Sequence, residues 1–309
     1  MIKTNKVMCI GSTCVDIILE LDFIPKASED QNLKSQTMRV GGCAYNVASI
    51  LQQAGAEPLL VTPVGLDGVY GPFALKAIEE MGFRGPVKLK GKENGCCYCL
   101  VDNSGERTFL ALHGVEYSFN PNYVEEDISD IEYIYFCGLE VEETDGDTLI
   151  NYLSSQDANL FYAPGSRGPY IINDKHKRIY ALNPILHLNE DEAFALSGLH
   201  KEINTVEEAT LKLQEKTHNI IFVTLGPKGA LALDKNGEFH YQKGIKTVVK
   251  DTIGAGDSHA GAVLTALSND FSLDDTLMFA NEISSHVVAI EGSHLEKEEV
   301  LNIFNKYQK

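Results

Sequence analysis

The chain has 309 residues, 44% of them hydrophobic and 23% charged, with 26 Gly, 10 Pro and no Trp; disorder and collagen-like structure are excluded and a large buried core is available. At roughly 150 residues per domain the length allows about two units, or one large α/β domain. Lys plus Arg number 26 against 44 Asp plus Glu, and the net charge of −18 repels DNA, RNA and anionic lipid, while a small anion such as a nucleotide can still be held by backbone amides and a few local cations.

Seven cysteines (Cys9, Cys14, Cys43, Cys96, Cys97, Cys99 and Cys137) are odd in number and scattered, and no secretory leader reads at Met1–Lys6, so a reducing cytoplasm is expected. Cys96, Cys97 and Cys99 have no Cys/His pair at zinc spacing nearby and read as small hydrophobes of a strand. The longest apolar runs, such as Ile131–Leu139, are far short of a membrane span.

Short apolar runs alternate with amphipathic stretches along most of the chain, the pattern of β-α-β units around a parallel sheet. Val7–Ile10 reads as the first strand. Ala44, Val47, Ala48 and Leu51 recur at helical spacing and predict a helix ending near Gly55. Leu59–Val64 gives a strand and Gly71–Met81 a helix, followed by strands near Tyr133–Cys137, Leu160–Tyr162, Ile185–Leu188 and Ile220–Leu225. Ala260, Val263, Leu264 and Leu267, then Ala280, Ile283, Val287 and Ile290, predict helices near the end. Two segments break the alternation. Ile17–Val40 has no helical stripe, and Cys96–Val101 and Arg107–Leu112 read as strands joined by the turn Asp102-Asn103-Ser104-Gly105. These predict a small β lid (17–40 and 96–113) on a main α/β domain (1–16, 41–95 and 114–309). The acidic stretches Glu125–Glu132 and Glu140–Asp147 read as solvated helix ends and loops.

The chemistry concentrates at Asp251-Thr252-Ile253-Gly254-Ala255-Gly256-Asp257-Ser258-His259-Ala260-Gly261, where a β-rich segment, Thr247–Lys250, passes through a glycine loop into a helix. Such a loop aims free amides and the positive end of the helix dipole at one point that can hold a phosphate. A dinucleotide fingerprint is excluded because His259 stands where its third glycine belongs, and Gly91-Lys92-Glu93 is no Walker A loop. Asp257 reads either as a helix cap or as a base that accepts a proton from a hydroxyl attacking the bound phosphate.

The stretch Asp251–Asp257 resembles the C-terminal signature Asp-Thr-x-Gly-Ala-Gly-Asp of the ribokinase-like (PfkB) carbohydrate kinases. Gly41-Gly42-Cys43-Ala44-Tyr45-Asn46 is similar to their N-terminal Gly-Gly element. Asp16, Asn189-Glu190-Asp191-Glu192 and Thr224-Leu225-Gly226-Pro227-Lys228-Gly229 extend the resemblance over essentially the whole chain. It implies a doubly wound, mainly parallel α/β fold with a β-sheet lid. It also implies an ATP-dependent kinase in which Asp257 is the base and the amides of Gly254, Ala255 and Gly256 stabilise the transferred phosphoryl group. Asp16, Gly41, Gly42 and Asn46 would bind the acceptor, with Arg107, His113 and Glu140 as further contacts. Thr224, Gly226, Gly229 and, less specifically, Asn281 would face the nucleotide. Asn189 and Glu192 would arrange a hydrated Mg²⁺, although by themselves they also form a capping box. Asp251 and the carbonyl of Ile253, closed by the loop near Gly292, match positions that line a K⁺ site in some of these enzymes.

Two departures accompany the resemblance. Ala163-Pro164-Gly165-Ser166-Arg167 lacks the acidic residue of the usual Asp-x-Asn-x-Arg segment, and His259 replaces the usual bulky aromatic. The reading is an ATP-dependent phosphotransferase acting on a hydroxyl, expected to be primary, of a sugar or nucleoside. A noncatalytic sugar- or nucleotide-binding regulator and a vitamin-type kinase acting on a hydroxymethyl heterocycle are the alternatives. A homodimer is expected, because Cys96–Val101 is apolar on both faces and only one can cover substrate.

Overall fold

The computed structural model describes residues 6–104 and 107–308; Met1–Asn5 of the segment read as carrying no leader, and Gly105 of the expected turn, lie outside the described residues. Thirteen strands are described, in chain order β1 Val7–Ile10, β2 Cys14–Glu20, β3 Ser35–Gly41, β4 Leu59–Asp67, β5 Arg84–Glu93, β6 Cys96–Val101, β7 Arg107–Leu112, β8 Tyr133–Cys137, β9 Asn159–Ala163, β10 Ile185–Asn189, β11 Ile221–Thr224, β12 Gly229–Leu233 and β13 Phe239–Lys243. The helices are α1 Cys43–Gln53, α2 Tyr70–Met81, α3 Gly138–Glu142, α4 Gly146–Leu153, α5 Asn173–Tyr180, α6 Glu190–Ser197, α7 Val206–Thr217, α8 Ala255–Ser268, α9 Leu273–Val287 and α10 Lys297–Tyr307.

Nine strands form one sheet in the order β13-β12-β11-β10-β9-β8-β1-β4-β5, parallel except for the two antiparallel strands β12 and β13 at one edge. Helices cover both faces, so alternate residues of one strand enter different cores. Val7 and Cys9 of β1 face the core built with α1, α8, α9 and α10, whereas Met8 and Ile10 face the core built with α4 to α7. This two-sided burial explains why the central strands read as continuous apolar runs.

The other four strands form the small sheet β3-β2-β6-β7. It begins at Cys14, earlier than the expected boundary at residue 17, so Asp16 rides on the small sheet, paired with Arg39 and Cys97. The face expected to await a partner is largely covered within the chain: Val15, Ile17 and Cys96 pack with Ala74 of α2. What stays outside on the edge strand β7 includes Leu110 and Leu112.

Three further differences have physical causes. Strand β5 pairs with β4 although Arg84, Lys88, Lys90, Lys92 and Glu93 hide it from an apolar pattern; charge is the usual device of an edge strand. The β12–β13 hairpin has no counterpart among the expected strands, since Gly229-Ala230-Leu231-Ala232-Leu233 carries little strand signal although it is fully buried. Thr247–Lys250 forms no strand; Val248 and Val249 are exposed in irregular chain leading to the glycine loop.

Helices α1 and α8 cross closely at Gly261, where a β-carbon would come 2.8 Å from the Val47 carbonyl oxygen. This contact sets the first turns of the two helices side by side at the C-terminal edge of the sheet, the edge where open α/β folds place their ligand crevice.

Candidate active site

A cleft of about 800 Å³ opens between the small sheet and the C-terminal ends of the central strands. One wall is the start of α8. Gly254 is its N-cap, in the left-handed conformation (φ 72°), and no side chain caps the helix. Gly254 and Gly256 line the cleft, so the positive end of a 14-residue helix faces it, while the Ala255 amide donates to the Thr252 carbonyl at 3.3 Å. Asp257 is in this first turn but is not its cap. Its Oδ2 accepts from Asn46 Nδ2 at 2.8 Å, and Asn46 Oδ1 in turn accepts from the Ser293 hydroxyl at 2.9 Å. Burial pushes the Asp257 carboxyl up, while hydrogen bonds from Asn46 and the Cys43 thiol hold it down.

Across the cleft lies Asp16. Burial pushes its carboxyl up to about 6; the Cys14 thiol, 3.8 Å away, opposes this and the charge of Asp257 adds to it. Gly41 ends β3 where any side chain would run into the Asp16 carboxylate. Gly42 caps α1 at φ 103°, and a β-carbon there would lie 2.4 Å from the Ser12 carbonyl oxygen, so only glycine fits the turn that brings Asn46 to Asp257.

Glu192 lines the cleft as well. Asn189 caps α6 by accepting the Glu192 amide at 2.8 Å, and Glu192 returns the bond to the Asn189 amide at 3.0 Å, a complete capping box. The Glu192 carboxyl is pushed up, first by burial and then by the charges of Asp257 and Asp191, with the Asn189 amide opposing. Glu192 is half-buried, with its second oxygen accepting from Asn189 Nδ2 at 2.8 Å, and a carboxylate so placed at the cleft fits a cation held through water.

Other expected residues are employed differently. Glu140 does not line the cleft: it is fully buried, accepting from the Ser12 amide at 2.8 Å and the Cys137 thiol at 2.9 Å. Asn281 holds the end of β13 through the carbonyls of Gln242 (3.1 Å) and Lys243 (3.3 Å). Gly226 and Gly229 shape the turn from β11 to β12, beyond Thr224, whose residue does line the cleft. Arg107 extends from β7 to Asp251 (2.6 Å) rather than into the cleft. Asp251 also accepts from the amides of Ile253 (2.7 Å) and Gly292 (3.1 Å). His113 lines the cleft, stacked on Tyr117 and bonded to Glu143. Ala163–Arg167 lines it too, with Arg167 tied to Glu142.

Sequence reasoning missed Ser293, which has no pattern to mark it, and the partner of His259. His259 Nδ1 lies 2.8 Å from Nε2 of His187, a histidine within the otherwise apolar run Ile185-Leu186-His187-Leu188. Burial lowers both, His259 to about 4, so a neutral pair packs where a bulky aromatic was expected. The polar residue inside the apolar strand was the available signal.

Among known proteins, the sugar kinase YegV of Escherichia coli K12, itself uncharacterized, is 33% identical over 298 residues, covering 93% of this chain and 90% of its own. Bacillus subtilis ribokinase is 27% identical over 301 residues, 94% of each chain. The fold is similar to that of Arabidopsis thaliana ribokinase complexed with ribose and ATP (TM-score 0.81, 19% identity, 97% of this chain and 99% of that one). It is equally similar to Methanocaldococcus jannaschii nucleoside kinase (TM-score 0.80, 19% identity, 99% and 100%). The pfkB family carbohydrate kinase model matches residues 4–299. A full-length match of this kind, on a ribokinase-like fold with a small second sheet over the cleft, means that the chain belongs to the pfkB family of carbohydrate kinases.

Proposed function

We propose that this kinase transfers the γ-phosphoryl group of ATP to a hydroxyl, primary by preference, of a sugar or nucleoside, with Asp257 as general base. The observation that carries the reading is one juxtaposition: a half-buried carboxylate, fixed by Asn46, in the first turn of a long helix that no side chain caps. As the acceptor oxygen bonds to the γ-phosphorus, its proton passes to Asp257, the bond from phosphorus to the β,γ-bridging oxygen breaks, and ADP departs. The amides of Gly254, Ala255 and Gly256 meet the charge on the transferred group. A carboxyl raised by burial is a stronger base than a solvated one. Asp16 orients the acceptor hydroxyls from the small sheet. The two-part sheet acts as a lid that excludes water, a competing acceptor.

The nucleotide extends from the α8 amides toward Thr224 and the turn at Gly226 and Gly229. Mg²⁺ suits Glu192 and Asn189, and when bound it neutralises phosphate charge. The free state of all seven cysteines suits a reducing compartment. Pairing of two chains along β7 would cover Leu110 and Leu112; sedimentation at micromolar concentration would then give twice 34.0 kDa, and a 34.0 kDa particle would reject it.

The deciding assay mixes ATP and the protein with pooled sugars and nucleosides. A product heavier by one phosphoryl group, missing with Asp257→Asn, supports the reading. Binding without ATP consumption for every acceptor would instead favour a noncatalytic regulator.

A further inference from the structure

We propose that Arg107 supplies the fixed positive charge at Asp251 in place of a monovalent cation, and that closure of the small sheet thereby sets the anion-hole loop. Asp251 is 6% exposed and its two carboxylate oxygens are already engaged. Oδ1 takes Arg107 Nη1 at 2.6 Å and the Ile253 amide at 2.7 Å, and Oδ2 takes the Gly292 amide at 3.1 Å. Burial of Asp251 opposes its ionisation, but the Arg107 bond and the two amides outweigh this and hold its carboxyl below the ordinary range. A second cation against the same carboxylate would meet the guanidinium at close range, a like-charge contact in a partly buried place.

The origin of the guanidinium gives the contact a mechanical meaning. Arg107 begins β7, one edge strand of the small sheet, and Arg39 lies on β3, the opposite edge strand. Arg39 pairs with Glu291 at 3.0 Å, next to Gly292, though in a more exposed setting. Both edges of the lid are thus tied to the loop pair 251–253 and 291–292. Below that pair lie the two working parts of the site. Gly254 starts α8, and Ser293 holds Asn46, which holds Asp257. Arg107 is a positioning residue: without the lid in place, Asp251 loses its guanidinium partner and the loop loses a fixed anchor.

The inference deepens the kinase reading, so one arm of its test does not depend on turnover. Amide hydrogen exchange on the unliganded full-length protein follows peptides covering 251–256 and 290–294 in wild type, Arg107→Ala and Arg107→Lys. Faster exchange in Arg107→Ala, with Arg107→Lys intermediate, is expected. The second arm measures ATP turnover in choline, Na⁺ and K⁺ at equal ionic strength. Wild-type rates should agree in all three, and Arg107→Ala should lose about tenfold to a hundredfold in kcat in choline and recover part of it in K⁺. Wild-type activity several-fold higher in K⁺ than in choline would overturn the inference. Unchanged exchange in Arg107→Ala would also overturn it, whatever happens to kcat. If wild type turns over no acceptor, the kinase reading fails while the exchange arm still decides the role of Arg107.

Discussion

Asp257→Asn separates catalysis from architecture more cleanly than any other change in the cleft. The substitution keeps volume and shape, and an amide oxygen can still accept from Asn46 Nδ2, now 2.8 Å from Oδ2. The chain from Ser293 through Asn46 into α8 therefore survives, as do the amides at the start of that helix. What disappears is the proton acceptor, whose loss costs about 10²–10⁴ in rate, or roughly 3–5 kcal/mol of transition-state stabilisation. Stability should move the other way. The raised carboxyl means that ionising Asp257 in the folded state carries a cost that grows as pH rises above the unfolded value, a cost the neutral amide does not incur. Steady-state kinetics with the best acceptor, calorimetric titration with ATP and thermal melting at neutral pH together form the assay. The expected signature is low kcat, near-normal ATP affinity and a higher Tm. A variant with near-normal kcat would refute the base assignment, and a lower Tm with lost ATP binding would show that Asp257 holds the fold.

Asp16→Asn should abolish an acid limb of acceptor binding. With its carboxyl at about 6, Asp16 loses the charge that accepts hydroxyl hydrogen bonds as pH falls through that value, so wild-type acceptor KM should climb below about pH 6. The same shift makes the ionised group a cost that grows as pH rises from the unfolded value, 3.8, to about 6, so Asp16→Asn should gain stability at pH 8 and little at pH 3; equal effects at both would contradict the burial argument. Gly42→Ala should lower the urea midpoint by the equivalent of about 1–3 kcal/mol from backbone strain alone, and an unchanged midpoint would mean that the turn before α1 relaxes freely. Chelation of Mg²⁺ should stop turnover, and Glu192→Gln should raise the half-saturating Mg²⁺ concentration about 10- to 100-fold with kcat largely restored at excess metal; an unaltered Mg²⁺ requirement would remove Glu192 from the metal site.

The parts of the fold that repeat a period were legible in the sequence. Strand β1 reads directly from Val7–Ile10, and α8 from Ala260, Val263, Leu264 and Leu267, because each is dictated by burial of one face or two. Strand β5 was not, since lysines on an edge mask the pattern, and β12 was not, since alanine and glycine give no preference even when fully buried. Within the site, Asp257, Gly42 and Asn46, singled out by local motifs, line one cleft, whereas long-range partners escaped. Nothing near Arg107 in sequence points to Asp251, and nothing near Asn46 points to Ser293. Glu140 lay in an acidic run that suggested solvent, yet its carboxylate is consumed by the Ser12 amide and the Cys137 thiol.

Asp16 sits on the small sheet and Asp257 on helix α8 of the main domain, so in the proposed mechanism the group that orients the acceptor and the group that takes its proton are carried by different layers of the fold. A wrong acceptor can then be captured by Asp16 and still fail, because a misfitting ring keeps the two carboxylates from reaching their working separation. Discrimination among related polyols would appear in turnover more than in affinity, and poor substrates would behave as competitive inhibitors. Screening this protein by binding alone would therefore rank its ligands in the wrong order.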